Sequence, residues 1–269
     1  MGVCNVTPDS FSDGGLYLSP DAARARVDVL LAEGADFIDI GAESTRPGAE
    51  AVPPEEQLRR MLEVLRYAAE RVAVSVDTTS AVVARAALDA GAIAVNDVSC
   101  LGDPSLAEVA AAHRATLILM HARGPQTRMQ GFSEYPESGY GDVVRDVVHE
   151  WREAAERAME RGVEKREIVM DPGLGFSKNA SQSADLLRRT REIVQLTGVP
   201  VLVGASRKSF LTLVDKGAEP QLRIGASIAA SMHAAEGGAS LLRVHDVRAA
   251  RQAIDLSRLL RGHRGGANA

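Results

Sequence analysis

The chain has 269 residues, 45% hydrophobic and 25% charged, and its 31 Lys and Arg against 36 Asp and Glu give a formal charge of −5 at pH 7. At this size folding buries roughly three quarters of the unfolded surface, so the core needs no staples. The two cysteines, Cys4 and Cys100, form no CxxC pair, which excludes a disulfide scaffold or a structural zinc site and points to a reducing cytoplasm. The negative field excludes nucleic acid as a natural partner. No run approaches the ~18 apolar residues of a membrane span, and no basic-then-apolar leader opens the chain.

Eight short apolar runs lie at 1–6, 36–41, 72–77, 92–97, 115–120, 167–171, 200–204 and 239–244. Each precedes a segment with helical spacing of its apolar residues, at 20–33, 54–71, 80–90, 104–113, 141–161, 183–196, 206–214 joined to 222–236, and 246–260. Gly34, Gly91, Gly162, Gly198 and the pair Gly237-Gly238 stand where helices should end. Repeated βα units predict a parallel sheet covered on both faces. Eight of them predict a single α/β domain over 1–261, a (β/α)8 TIM barrel, followed by a disordered tail at 262–269. A doubly wound open sheet is the competing arrangement, but no GxGxxG opens the first helix.

Ligands of a parallel barrel gather at the C-terminal ends of its strands. Those ends carry Asn5, Asp39 and Gly41, Asp77, Asn96-Asp97, His121, Asp171, the segment 204–206, and Arg243 with His245. Any one of them is an ordinary turn former. As a set, Asp77, Asn96 and Asp171 follow strongly apolar runs, where an unpartnered carboxylate is costly, so they need a ligand or one another. Amides and carboxylates facing one pocket suit a flat heterocycle rich in N–H donors. Positive charge is expected elsewhere in the mouth, where Arg46, Arg243 and His245 could converge on an anion and Asn5 could offer an amide oxygen to Mg²⁺. For Arg46 alone a surface salt bridge serves equally well. Ser206 reads as a helix N-cap, and Lys208 beyond it as a group that holds or polarises a substrate carbonyl. The long polar segment 5–15, with Phe11, reads as a lid, and 122–139, with Arg123 and Tyr135, as a second cover.

Eight segments together resemble the dihydropteroate synthase family: Asn5 to Gly15 (NVTPDSFSDGG), Asp39 to Gly48 (DIGAESTRPG), Ser75 to Thr78, Asn96 to Ser99, Met120-His121, Asp171 to Phe176 (DPGLGF), Ser206 to Phe210 (SRKSF) and Arg243 to Asp246. The resemblance covers nearly the whole chain. It implies a TIM barrel that condenses 6-hydroxymethyl-7,8-dihydropterin diphosphate with 4-aminobenzoate, releasing pyrophosphate with Mg²⁺ assistance. By matching positions, Asp77, Asn96, Met120, Asp171 and Lys208 would hold the pterin. Asn5, Arg46, Arg243 and His245 would hold the diphosphate, with Asn5 on the metal and Asp13 joining when the loops close. Phe11, Thr45, Pro47, Phe176 and Ser209 would frame the aminobenzoate. The catalytic set so implied is Asp77, Asp171, Lys208, Arg46 and Asp13. The resemblance also implies a cytoplasmic homodimer and a sulfonamide target.

The chain departs from the family pattern at Ala42, where a glycine is usual, at Ala122-Arg123 after His121, and at 177–183, which lacks the usual His-Asn pair. Other readings are a methyltetrahydrofolate-dependent methyltransferase barrel, a paralogue that binds pterin without turnover, and a Schiff-base aldolase built on Lys208.

Overall fold

The computed structural model describes residues 1–7, 20–43, 52–124 and 135–262. Strand and helix alternate through β1 (Gly2–Asn5), α1 (Pro20–Ala32), β2 (Phe37–Gly41), α2 (Pro54–Ala69), β3 (Ala73–Asp77) and α3 (Ala81–Asp89). They continue through β4 (Ala94–Asp97), α4 (Ser105–His113), β5 (Thr116–Met120), α5 (Val143–Glu160), β6 (Ile168–Asp171), α6 (Ala180–Arg188) and α7 (Thr190–Thr197). The last turns are β7 (Leu202–Val203), α8 (Ile224–Glu236), β8 (Leu241–Leu242) and α9 (Val247–Leu260).

Strands β1 to β6 form one parallel sheet in sequence order, and β7 pairs with β8. Single bridges, Met170 to Val201 and Gly2 to Val244, join the two pieces at both edges. The Met170 N–H donates to Pro200 O (2.9 Å) and the Val3 N–H to Val244 O (3.0 Å). The wall therefore returns on itself as the predicted barrel, and the open-sheet alternative, which needs two free edges, is excluded.

Period-two alternation along each strand sorts its side chains. The outward set, including Cys4, Ile40, Val76, Val95, Leu119 and Met170, packs with Met61 and Leu65 of α2 and Trp151 of α5. The inward set begins apolar: Ile118, Val169 and Leu202 form a separate cluster with Met1 and Leu241 that plugs the barrel floor. Two residues further along the same strands, the inward positions are Met120, Asp171 and Arg243.

Two helical expectations need correction. The segment read as one helix over 183–196 is two, because Arg189 (φ −99°, ψ 25°) ends α6 and begins α7. Its guanidinium is drawn out of the helical frame to Asp142 (2.8 Å) and Glu192 (2.8 Å). The helix expected from Ser206 is a short 3-10 turn, Ser209–Leu213, led in by Lys208. Arg207 stands at φ 60°, which stops a helix from starting earlier, and its guanidinium turns to Asp246 (3.0 Å). Ser206 is thus no N-cap; its hydroxyl accepts from the His245 N–H (3.2 Å). Phe11, Asp13, Thr45, Arg46 and Pro47, most of the expected lid, and the tail from 263 lie outside the described residues.

Candidate active site

Strand register builds the site in rows. Val3, Asp39, Ser75 and Ala94 lie side by side, and two residues on, Asn5, Gly41, Asp77 and Asn96 do the same. Met120 pairs with Asp171 on the other side of the mouth. Gly41 leaves room there, since a Cβ would press on the Asp77 Cβ at 3.3 Å. Ala42, one residue on, points into the core and is fully buried, so the departure from the family's glycine is absorbed by packing.

Asp39 is the hub of the lower row and is completely buried. It accepts from Ser75 Oγ (2.5 Å), Asn96 Nδ2 (3.1 Å) and Arg243 Nε (2.7 Å). Arg243 also donates through Nη2 to Asp77 Oδ2 (2.9 Å). The expected separation of acids below and cations at the lip therefore does not hold for Arg243. Two buried carboxylates one row apart cannot both stay ionised without a counter-charge, and the guanidinium supplies it. Burial, followed by the Asp39 charge, raises the Asp77 carboxyl to about 7, and Arg243 draws it back only in part.

Asn96 is 2% exposed, its amide nitrogen is taken by Asp39, and its carbonyl oxygen has no partner among the described residues. A buried unsatisfied acceptor at the barrel mouth calls for a ligand N–H. Across the cup, Asp171 accepts from the Gly173 N–H (2.8 Å), and burial raises its carboxyl above the usual range. Gly173 (φ 65°) allows this turn, because a Cβ there would lie 2.1 Å from His121 O. The Lys208 Nζ sits 4.0 Å from the centroid of the Phe176 ring, and burial lowers it to about 8 against the pull of Asp171. Phe176 closes an apolar wall with Val98, Met120 and Ala122.

The structure thus brings together Asp77, Asn96, Arg243, Asp171, Lys208, Met120 and Phe176, with Asn5 beside Gly41. Ser209 opens the 3-10 turn after Lys208, and its buried hydroxyl is also unpartnered among the described residues. His245 stands one alternation beyond Arg243, its Nδ1 3.1 Å from Ser206 Oγ. Burial and the neighbouring Arg243 drop it to about 3, so it is a neutral imidazole. Asp97 is structural: it accepts from the Ser99 and Leu101 N–H groups and shapes the turn after β4.

Sequence reasoning passed over two features. Asp39 was read only as a strand end, although its spacing of two from Gly41 already puts it on the inward face. Lys178, 1% exposed, lies just past Phe176 and bonds to His121 (Nζ to Nδ1, 2.9 Å). No sequence signal marks a lysine in a polar loop as buried. In the segment that lacks the family's His-Asn pair, Gln182 completes a capping box with Asn179, and Ser183 Oγ accepts from the Gly175 N–H (3.0 Å).

A closed parallel barrel whose C-terminal mouth presents carboxylates, an amide and an ammonium to one cup defines an enzyme class that grips a flat, nitrogen-rich ring. The family of pterin binding enzymes matches residues 1–245, and the chain belongs to it. The dihydropteroate synthase of Mycobacterium leprae is 44% identical over 261 residues, covering 94% of this chain and 90% of that protein. The Xanthomonas albilineans dihydropteroate synthase solved with 4-aminobenzoic acid superposes with a TM-score of 0.88 at 41% identity, over 97% of this chain and 92% of that one. Another structure of the Xanthomonas enzyme holds 7,8-dihydropteroate. A longer relative, the probable bifunctional folylpolyglutamate synthase/dihydropteroate synthase of Haloferax volcanii, is 44% identical over 92% of this chain, which spans 29% of its length.

Proposed function

We propose that the cup binds 6-hydroxymethyl-7,8-dihydropterin diphosphate and joins it to 4-aminobenzoate, making 7,8-dihydropteroate and pyrophosphate. The protein is on this reading a dihydropteroate synthase, a transferase of folate biosynthesis. The observation that carries the assignment is the buried Asn96 carbonyl without a donor, set beside Asp77, Asp171 and Lys208 in a chain of the pterin-binding family. An amino-pyrimidinone edge offers the N–H donors that Asn96, Asp77 and Asp171 accept and the carbonyl that Lys208 donates to.

The diphosphate then projects toward Arg243 and His245; by the family resemblance Arg46 and Asp13, which lie outside the described residues, would also contact it. His245 serves as a hydrogen-bond donor there. The C–O bond breaks and the diphosphate departs with the electron pair. Asp77 and Asp171 stabilise the positive charge left on the pterin, and the arylamine nitrogen attacks the methylene and then loses a proton. Phe176, Ser209, Phe11, Thr45 and Pro47 frame the aminobenzoate, so a sulfonamide competes for the same wall.

A magnesium ion fits the donor chemistry. Asn5 offers one hard amide oxygen at the end of β1. Mg²⁺ retains several waters and needs few protein ligands beside substrate phosphates. A bound Mg²⁺ there would supply positive charge to offset that of the diphosphate. No helix among the described residues is long and apolar enough to cross a membrane. We further propose a cytoplasmic homodimer, supported by Leu256, Leu259 and Leu260, which stand exposed on α9, and by exposed Ile224 at the start of α8.

The test is an assay of pyrophosphate and 7,8-dihydropteroate with dihydropterin diphosphate, 4-aminobenzoate and Mg²⁺ each omitted in turn; dihydropteroate and sustained pyrophosphate release are expected only with all three. No dihydropteroate with all three present, or pyrophosphate release that the arylamine does not accelerate, overturns the assignment. A pH dependence follows from Asp77. Its folded value, about 7, lies above that of the unfolded chain, so the stability it contributes is present in acid and lost as pH rises through 7. Ring binding needs the carboxylate, so affinity for the pterin substrate is expected to rise over the same interval. Titration calorimetry should show that rise in the wild type and a flat profile in Asp77→Asn.

A further inference from the structure

We propose that Lys178 is a positioning residue: it clasps the main chain of the loops after β5 and β6 and thereby sets the Phe176 wall that aligns the arylamine. The inference rests on the reading that Phe176 frames the aminobenzoate.

The Nζ of Lys178 donates to Phe176 O (2.8 Å) and His121 O (3.3 Å) and meets His121 Nδ1 (2.9 Å). Three hydrogens thus meet three acceptors, which assigns the tautomer of His121: Nδ1 accepts, and the Nε2–H donates to Glu150 Oε2 (2.9 Å). Glu150 is held in turn by Arg123, whose guanidinium lies 3.8 Å from the centroid of the Tyr140 ring. The same two loops are tied a second time. The Arg123 N–H donates to Ser177 Oγ (3.0 Å), that hydroxyl donates to Arg123 O (3.0 Å), and Tyr140 Oη donates to Ser177 O (2.9 Å).

Burying an ammonium is expensive, and a lysine is a poor choice if two carbonyls merely need partners. Its placement explains the choice. Phe176 is held at its carbonyl by Lys178 and covered on its ring by Lys208. A shift in the first contact moves the surface presented by the second. Five groups face Lys178 from the packed elements: Asp171 at the end of β6, Cys100 after β4, Glu150 on α5, and His121 and Arg123 after β5. Burial lowers Lys178 to about 7; Asp171, Cys100 and Glu150 oppose that and Arg123 reinforces it. Above that pH the amine has two hydrogens for three acceptors, and one of the three contacts is lost.

Lys178→Met is expected to raise KM for 4-aminobenzoate by roughly ten-fold or more while changing KM for the dihydropterin diphosphate by less than about three-fold. The wild-type advantage in aminobenzoate kcat/KM over the variant should shrink between about pH 6 and about pH 8.5, as the native clasp deprotonates. Glu150→Gln, which removes an anionic neighbour, should shift the wild-type step to lower pH and covers the case in which Lys178→Met fails to fold. An unchanged aminobenzoate KM, an equal rise in both KM values, or an unshifted step in Glu150→Gln overturns the clasp. Absence of dihydropteroate synthesis in the wild type instead overturns the functional reading on which the clasp rests.

Discussion

Asp171→Asn is expected to lower kcat/KM for dihydropteroate synthesis by roughly 10²-fold or more, about 3 kcal/mol, while leaving the folded state as stable as the wild type or more so. The two effects separate because the carboxylate sits where the native chain does not welcome it. Burial raises its pKa, so its charged form weakens the fold at neutral pH, and that penalty disappears in acid. The asparagine keeps an oxygen for the Gly173 N–H (2.8 Å) but supplies neither the charge that faces Lys208 nor the one that steadies a developing pterin cation. Steady-state kinetics with urea melts at neutral and mildly acidic pH check both halves. Normal turnover by a folded variant would remove Asp171 from the site.

Arg243→Ala should act in the opposite sense on stability, costing about 3–5 kcal/mol. Arg243 is the shared counter-ion of Asp39 and Asp77, and its removal strands two buried acids one strand row apart. Adding Asp39→Asn should recover part of the loss, the coupling expected of groups in direct contact. Urea unfolding of both single variants and the double variant measures it, and strict additivity would refute the shared counter-ion. Binding of the diphosphate substrate should weaken in Arg243→Ala in either background.

Much of this was legible before any coordinates. Strand periodicity and glycine stops located the eight βα units because parallel strands, covered on both faces, are apolar throughout. Strand ends could be read from where each apolar run stops, which is why Asp77, Asn96 and Asp171 were expected to face one pocket; Arg243 was expected apart from them, at the lip. The pattern does not say which of them pair when no substrate is present. That depends on the cost of burying Asp39 and Asp77 together, an energy balance across four strands that no local pattern encodes. Helix boundaries failed where long-range contacts overrode propensity, at Arg189 through Asp142 and at Arg207 through Asp246. Lys178 was missed for a similar reason: its partners come from His121, 57 positions earlier.

The wall of the barrel is unequally fastened. Between β1 and β6 each neighbour is joined by ladders of three to five residue pairs, whereas β7 and β8 share two pairs and meet the rest through one bridge on each side. Fewer ladder bonds mean a lower free energy for local opening, so the molecule breathes along that quadrant first. Arg243 and His245 ride on it, while Asp77 and Asn96 stand on the firmer arc opposite. On the proposed reading, the end of the site assigned to the diphosphate is the one fastened by the fewest ladder bonds, and the end assigned to the ring stands on the firmer arc.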